Sequence, residues 1–182
     1  MFCNFLFYAH AADAGFAKTT LQRSKLAVVA STKDFDREGY SKPDYEAIVI
    51  DRYDDPLEQE IADLSFRAWT IRRGKGQKMD KTRPSVILTT LCAIEPDDQK
   101  QFLCQFDQAL EFVQGQSGFL GSLLFRGDNE PGRSRWLVNV ARWQNRKSFL
   151  STFTSPKFRQ IVGGTFRWSS QVIIAEFPAV KN

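Results

Sequence analysis

The chain has 182 residues, of which 42% are hydrophobic and 25% charged, and its formal net charge is +4 at pH 7. This length and apolar content support a buried core in one ordinary domain or in two small ones. Three cysteines without a CxxC pair suggest neither a disulfide framework nor a cysteine zinc site. We therefore expect a cytoplasmic protein with no metal centre.

The first half opens on an apolar run, MFCNFLFYAH, which has no basic residue ahead of it and no small-residue cleavage pattern. The run predicts neither a secretory leader nor, at this length, a membrane-spanning helix, so we expect no membrane partner. Residues 25–35 (KLAVVASTKDF) and 48–55 (IVIDRYDD) follow as β-rich runs separated by a polar turn.

Basic residues concentrate in residues 72–83 (RRGKGQKMDKTR). The run lacks the spacing of a phosphate-binding loop and the interleaved aromatic residues of a nucleic-acid surface. We interpret it as a solvated linker, in preference to a nucleic-acid arm, and expect no nucleic-acid partner. The predicted organisation is a first unit at residues 1–72, a basic linker at 73–83 and a second unit at 84–182.

The second unit has a clear succession of elements. A helix is predicted between Pro96 and Gly115, because apolar residues recur there at helical spacing. Pro156 starts a further helical stretch. The other predicted elements are strands at residues 84–94, 118–127, 135–143 and 171–177, and a helix at 146–153. The order β-α-β-β-α-β predicts an α+β, ferredoxin-like sandwich with both helices on one face of an antiparallel sheet.

The first half resembles the second in its skeleton. Residues 48–55 align with residues 138–145, so that Tyr53 aligns with Trp143. The match indicates a degenerate tandem repeat, although two similar hairpin units could also match by coincidence.

The third strand of the second unit carries the candidate site. Asn139 and Trp143 are four residues apart and therefore share one face of the strand. The other face is apolar as well, so we expect helices on one side of the sheet and a second sheet, from this chain or another, on the other. A buried Asn needs hydrogen-bond partners, and an Asn bonded to a turn beside a packed Trp remains the alternative to a site.

Three motifs lie along the second unit: Gly118-Phe119 opens a strand, Trp143-Gln144-Asn145 ends the next, and Ser155-Pro156 separates two helical stretches. In this order, residues 84–180 resemble the antibiotic biosynthesis monooxygenase family of the dimeric α+β barrel superfamily. The resemblance implies two ferredoxin-like repeats packed sheet on sheet as a barrel, as an intramolecular pseudo-dimer or as a homodimer.

Some members of that family oxidise a polycyclic phenol to a quinone with dioxygen and use no cofactor. The resemblance therefore implies a cofactor-independent monooxygenase of an aromatic or polycyclic phenol. Asn139 would hold a substrate carbonyl or the reduced-oxygen intermediate, Trp143 would donate its indole N–H, and Arg159 would stabilise a phenolate. We expect four apolar residues to bind the substrate: Leu137, Phe119, Phe106 and Phe153.

The chain also departs from the family pattern. Many members carry a His where this chain has Thr152, and its one histidine, His10, is far away in sequence. The difference implies that haem has no axial ligand and that an obvious general base is missing. The alternative function is a non-catalytic small-molecule-binding or assembly module of the same fold. We expect Cys92 and Cys104 to be buried packing residues.

Overall fold

The computed structural model describes residues 2–8, 27–29, 47–52, 64–78, 83–127, 135–163 and 169–177. The strands in these ranges are β1 (Phe2–Tyr8), β2 (Ala27–Val29), β3 (Ala47–Arg52), β4 (Leu64–Lys75), β5 (Ser85–Ile94), β6 (Phe119–Gly127), β7 (Arg135–Trp143) and β8 (Ser169–Phe177). The helices are α1 (Gln99–Gln114), which follows a 3₁₀ turn at Pro96–Asp98, α2 (Arg146–Phe153) and α3 (Pro156–Val162). Within the same ranges, no helix is long and apolar enough to cross a membrane.

The strands form one antiparallel sheet in the order β2-β3-β1-β4-β6-β7-β5-β8. In the second half, helices follow β5 and β7, and the strand order is β6-β7-β5-β8, so the predicted ferredoxin-like α+β arrangement is confirmed. Strands β1 to β4 repeat this order as β2-β3-β1-β4. The two halves join edge to edge, because β4 pairs with β6.

The sequence predicted the first half less completely. β1 and β4 were not predicted, and the strand predicted at residues 25–35 is described only at β2. β4 continues to Lys75 and pairs with β6, so residues 73–75 of the predicted linker belong to a strand. Residues 9–26 and 53–63, where a first ferredoxin-like unit would carry its helices, lie outside the described residues.

Both faces of the second-half sheet are buried, as the third strand predicted. On the side of the helices, strand residues such as Leu88 and Trp143 pack in one cluster with Phe149 and Phe158. Four residues on the opposite side are at most 4% exposed: Ile87, Leu91, Phe125 and Val138. Phe5 of β1 packs edge-to-face on Phe125 with ring centroids 5.0 Å apart. A residue of the first half therefore covers part of this opposite face.

Strand β4 is also tied to helix α1. The Arg72 guanidinium donates from Nε to Asp107 Oδ1 at 2.8 Å and from Nη2 to Oδ2 at 3.2 Å. The hydrogen bond to Asp107 raises the pKa of Arg72. The backbone N–H of Lys75 donates to Gln114 Oε1 at 2.9 Å. These contacts hold the edge of the first half against the helix layer of the second.

Two side-chain caps fix the short helices over the end of β7. The Asn145 side chain accepts from the Ser148 N–H at 2.9 Å and starts α2. The Ser155 hydroxyl accepts from the Phe158 N–H at 3.2 Å, and Pro156 occupies the first turn of α3. The caps place the aromatic residues of both helices next to Trp143.

Candidate functional site

A cavity of about 120 Å³ lies between the sheet and the helices of the second half. Strands β5, β6 and β7 form its floor, and the three helices form its roof. Most of the lining is apolar or aromatic, which is typical of a small-molecule site. The polar lining groups are Thr90, Cys92, Gln105, Ser122, Asn139 and the indole N–H of Trp143.

Strand register places Asn139 and Trp143 at the two ends of the floor. Asn139 pairs with Thr90 and Trp143 pairs with Val86 on the neighbouring strand. Their Cα atoms are about 13 Å apart, since a strand advances about 3.3 Å per residue. Ala141 lies between them on the same face and also lines the cavity. Its methyl group leaves the hollow that a larger residue would fill.

Aromatic rings hold the indole of Trp143 in one orientation. Its ring centroid lies 5.2 Å from that of Phe119, 6.1 Å from Phe149 and 6.0 Å from Phe153, all edge-to-face. Such pairs contribute about 0.5–1.5 kcal/mol each beyond their burial. Trp143 is fully buried, so its N–H is in a fixed position out of contact with bulk water.

Three polar atoms of the lining are buried without a hydrogen-bond partner: Ser122 Oγ, Asn139 Oδ1 and Trp143 Nε1. A buried polar group without a partner costs about 1–3 kcal/mol, and native proteins keep few of them. A ligand that brings an acceptor to the indole N–H and a donor to the amide oxygen would remove this cost. The cavity therefore has a mostly apolar lining with three polar atoms that are free to form hydrogen bonds to a ligand.

Ser122 belongs to the same floor although sequence alternation alone would not place it there. The β6–β7 register shifts between Phe119 and Gly121, and Gly121 adopts φ +144°. Beyond this bulge Ser122 pairs with Ala141, midway between Asn139 and Trp143. The signal available in the sequence was a glycine inside a strand, which often marks a bulge.

The predicted site residues fall into two groups. Phe106, Phe119 and Phe153 line the cavity together with Asn139 and Trp143. Leu137 is fully buried in an adjacent cluster, where it packs with Cys92, Phe102 and Leu124, and it does not line the cavity. Arg159 is exposed on α3 and is also outside the lining.

Thr152 and the cysteines occupy different positions. Thr152 is buried and donates its hydroxyl to the Ser148 carbonyl at 3.0 Å, within α2 and outside the cavity lining. Cys92 is buried, as predicted. Cys104 is exposed, so the prediction that both cysteines are buried was wrong for it. Its apolar neighbours in the sequence face the sheet, while Cys104 lies on the outer side of α1.

The lining carries no charge in the part of the chain that the structure describes. Burial lowers the pKa of Arg142, but this guanidinium donates to Ser85 Oγ at 2.9 Å on the side of the sheet away from the helices. Among the described residues, no three His, Cys, Asp or Glu side chains are close enough together to hold a metal ion. The electrostatic groups available to a ligand are therefore neutral dipoles.

Comparison with known proteins gives a family match for the second half of the chain and a fold. Residues 85–164 match the family model of the antibiotic biosynthesis monooxygenases. An anthrone oxidase-like protein has a similar structure, with 11% identity and a TM-score of 0.61 over 99% of this chain and 93% of that one. A monooxygenase-like protein from Listeria innocua has 12% identity and a TM-score of 0.60 over 100% and 96%.

A major regulator of staphylococcal pathogenesis has 10% identity and a TM-score of 0.59 over the whole of both chains. At these identities the likeness establishes the fold alone. No curated protein matches the sequence.

Proposed function

We propose, from the match of residues 85–164 to the family model of the antibiotic biosynthesis monooxygenases, that the protein oxidises a phenolic aromatic substrate to a quinone with dioxygen and no cofactor. One observation carries the proposal. Asn139 Oδ1 and Trp143 Nε1 are buried without partners in a cavity lined by aromatic rings. Fixed dipoles in a dry cavity stabilise charge that develops on a bound substrate.

The proposed reaction converts one phenol and one dioxygen into one quinone and one water. The phenol loses its hydroxyl proton, and the phenolate passes one electron to dioxygen. The resulting superoxide and phenoxyl radical combine into a C–O bond at the para carbon, and protonation of the outer oxygen gives a hydroperoxide. Removal of the proton from that carbon forms the second carbonyl as the O–O bond breaks, and the hydroxide released takes up a proton as water.

Two side chains have roles in this scheme. Trp143 donates its N–H to the oxygen that gains charge at the para carbon. Asn139 accepts from the phenol hydroxyl in the bound substrate and, after rotation of its amide, donates to the carbonyl that forms there. Arg159 is exposed and outside the cavity lining, so the proposal gives it no role.

The uncharged lining has a consequence for the substrate. The described residues offer no carboxylate, imidazole or amine at the cavity to remove the phenol proton. The substrate must therefore supply the anion through its own acidity. The logarithm of kcat/KM should rise with pH up to the substrate's pKa, and a more acidic phenol should shift this rise to lower pH by the difference in pKa.

The test is turnover by the purified full chain, treated with chelator and given no cofactor. Oxygen consumption and quinone absorbance are followed with phenols of one, two and three rings. We expect a rate above spontaneous oxidation that Asn139→Ala lowers by about 100-fold or more, because the variant removes a fixed dipole at the phenolic oxygen. Trp143→Phe keeps the ring, removes the N–H and should act similarly.

Thr89→Val is the matched control for these variants. Thr89 Oγ1 is also buried without a partner, but it lies on the side of the sheet away from the cavity. The control should keep the wild-type rate. Turnover that is unchanged in Asn139→Ala would contradict the assignment of that residue.

A second candidate function is a non-catalytic binding module of the same fold. The observation that favours it is the lack of a general base, since Thr152 is occupied by a hydrogen bond within its own helix. Ligand binding without oxygen consumption across the panel would select this function over the monooxygenase.

We also propose that the first half is a degenerate copy of the second and takes the place of a second subunit. The shared strand order of the two halves and their joined edges support this proposal. A monomer in solution at micromolar concentration is the expected result by analytical ultracentrifugation. A stable homodimer would contradict it.

A further inference from the structure

The cavity floor contains a third buried polar group that the proposed reaction does not use. Ser122 is 7% exposed, lines the cavity, and its Oγ has no hydrogen-bond partner. It can donate and accept, whereas the indole of Trp143 only donates. A hydroxyl kept buried in this state inside a cavity indicates a ligand atom that it meets.

Strand register gives the position of this hydroxyl along the floor. Ser122 pairs directly with Ala141, so it is a diagonal neighbour of both Asn139 and Trp143. Diagonal neighbours in an antiparallel pair are about 7–8 Å apart. Ser122 therefore lies beside the middle of a ligand that extends from Asn139 to Trp143.

The volume of the cavity corresponds to about one ring. The cavity measures about 120 Å³, and an apolar cavity of roughly 150 Å³ holds one benzene molecule. One ring with an oxygen at each para position and a hydrogen bond of about 2.9 Å at each end spans roughly 11 Å. This length is close to the spacing of Asn139 and Trp143 on the strand.

We propose that Ser122 is a ligand-binding residue that recognises an oxygen substituent on the edge of a single-ring phenol, lying with its hydroxyl at Asn139 and its para carbon at Trp143. The direction assigned to the ligand rests on the proposed function. The contact with Ser122 and the limit on ring number do not depend on turnover, so they are tested by binding alone.

The test compares two ligands that differ in one atom. In 3-methoxyphenol an ether oxygen is placed on the ring edge, and in 3-ethylphenol a methylene group replaces that oxygen. Affinities are measured by calorimetry on the full chain without oxygen, so that no reaction takes place. We expect the wild type to bind 3-methoxyphenol about five- to tenfold more tightly, which is the effect of one hydrogen bond.

Ser122→Ala should bind the two ligands equally, because the hydroxyl that distinguishes them is gone. Thr89→Val, which removes a buried hydroxyl on the other side of the sheet, should keep the wild-type ratio. Far-UV circular dichroism checks that both variants are folded. A wild-type ratio of one, a preference that survives Ser122→Ala, or no binding of either ligand would overturn the proposal.

Ring number is tested in the same experiment with 1-naphthol and anthrone as two- and three-ring ligands. We expect anthrone to bind at least tenfold more weakly than 3-methoxyphenol, and tighter anthrone binding would overturn the limit to one ring. Binding of 3-methoxyphenol without later oxygen consumption would keep this inference and contradict the monooxygenase. Turnover of a phenol by a wild type that binds 3-methoxyphenol and 3-ethylphenol equally would do the reverse.

Discussion

At the scale of single residues, polar atoms in the cavity lining lower the stability of the ligand-free protein. Ser122, Asn139 and Trp143 each bury a polar atom without a partner, and each such atom costs about 1–3 kcal/mol. The whole protein is expected to be stable by only about 5–15 kcal/mol. Apolar residues of similar size at these positions would make the protein more stable, and the proposed ligand gives a physical reason for the polar ones.

Ser122→Ala should therefore stabilise the ligand-free protein, by about 1 kcal/mol, because it removes a desolvated hydroxyl and leaves packing unchanged at the cavity wall. The measurement is urea unfolding followed by tryptophan fluorescence. Thr89→Val should give a similar gain, since its hydroxyl is equally buried without a partner. A loss of more than 1 kcal/mol in Ser122→Ala would mean that the hydroxyl has a structural partner.

The sequence predicted those site residues that follow simple alternation. Asn139 and Trp143 share a face of β7 because they are four residues apart, and the aromatic residues Phe106 and Phe153 lie on apolar helix faces. Ser122 was missed because the bulge at Gly121 reverses the alternation of β6. Leu137 has the predicted face but lies one residue pair beyond the cavity.

At the scale of elements, β4 is the strand that links the first half to the cavity. Gly74 of β4 pairs with Ser122. A Cβ atom at position 74 would lie 2.7 Å from Ser122 Oγ and 2.5 Å from Leu110 Cδ1. Because Gly74 has no side chain, Ser122 and Leu110 have room at the cavity wall. The first half therefore contributes to the shape of the candidate site.

Gly74→Ala should destabilise the protein by about 1–3 kcal/mol, because the methyl group overpacks a buried contact. It should also reduce the preference for 3-methoxyphenol over 3-ethylphenol, since Ser122 must move. Unfolding in urea and calorimetry measure the two effects. Gly115→Ala is the control, because its Cβ would meet only the Phe112 carbonyl at 3.6 Å. Equal stability of Gly74→Ala and the wild type would contradict the close packing.

The elements of the second half were predictable because the apolar residues of each recur with a single period and because characteristic residues mark its ends. Apolar residues recur along α1, and Pro96 and Gly115 border it. β4 gives no such signal, because its polar end (RRGK) reads as a solvated run. Its pairing with β6 and the ion pair of Arg72 with Asp107 keep these residues in a strand. Both contacts are with residues more than 30 positions away in sequence.

At the scale of the whole molecule, two ferredoxin-like strand orders share one sheet. The second half alone would leave the face with Leu91, Phe125 and Val138 open to water, although these residues are at most 2% exposed. Burial of an apolar side chain of this size contributes about 1.5–3 kcal/mol. The second half therefore depends on a covering layer, and Phe5 of the first half is part of it.

Packing between the halves can be measured with a double-mutant cycle on Phe5 and Phe125. Both rings are buried and in edge-to-face contact at 5.0 Å, so Phe5→Leu and Phe125→Leu should each cost about 1–2 kcal/mol. The double variant should cost about 0.5–1.5 kcal/mol less than the sum, because the ring pair is lost only once.

The control cycle joins Phe5→Leu with Phe149→Leu. Phe149 is also fully buried, but it packs on Trp143 at the helix side of the sheet. The losses of stability caused by these two substitutions should add, because substitutions at residues without shared contacts act independently. Additive costs for Phe5 and Phe125 as well would mean that this ring pair adds no coupling energy between the two halves. A positive coupling confined to the Phe5–Phe125 pair would support the proposal that the first half takes the place of a second subunit.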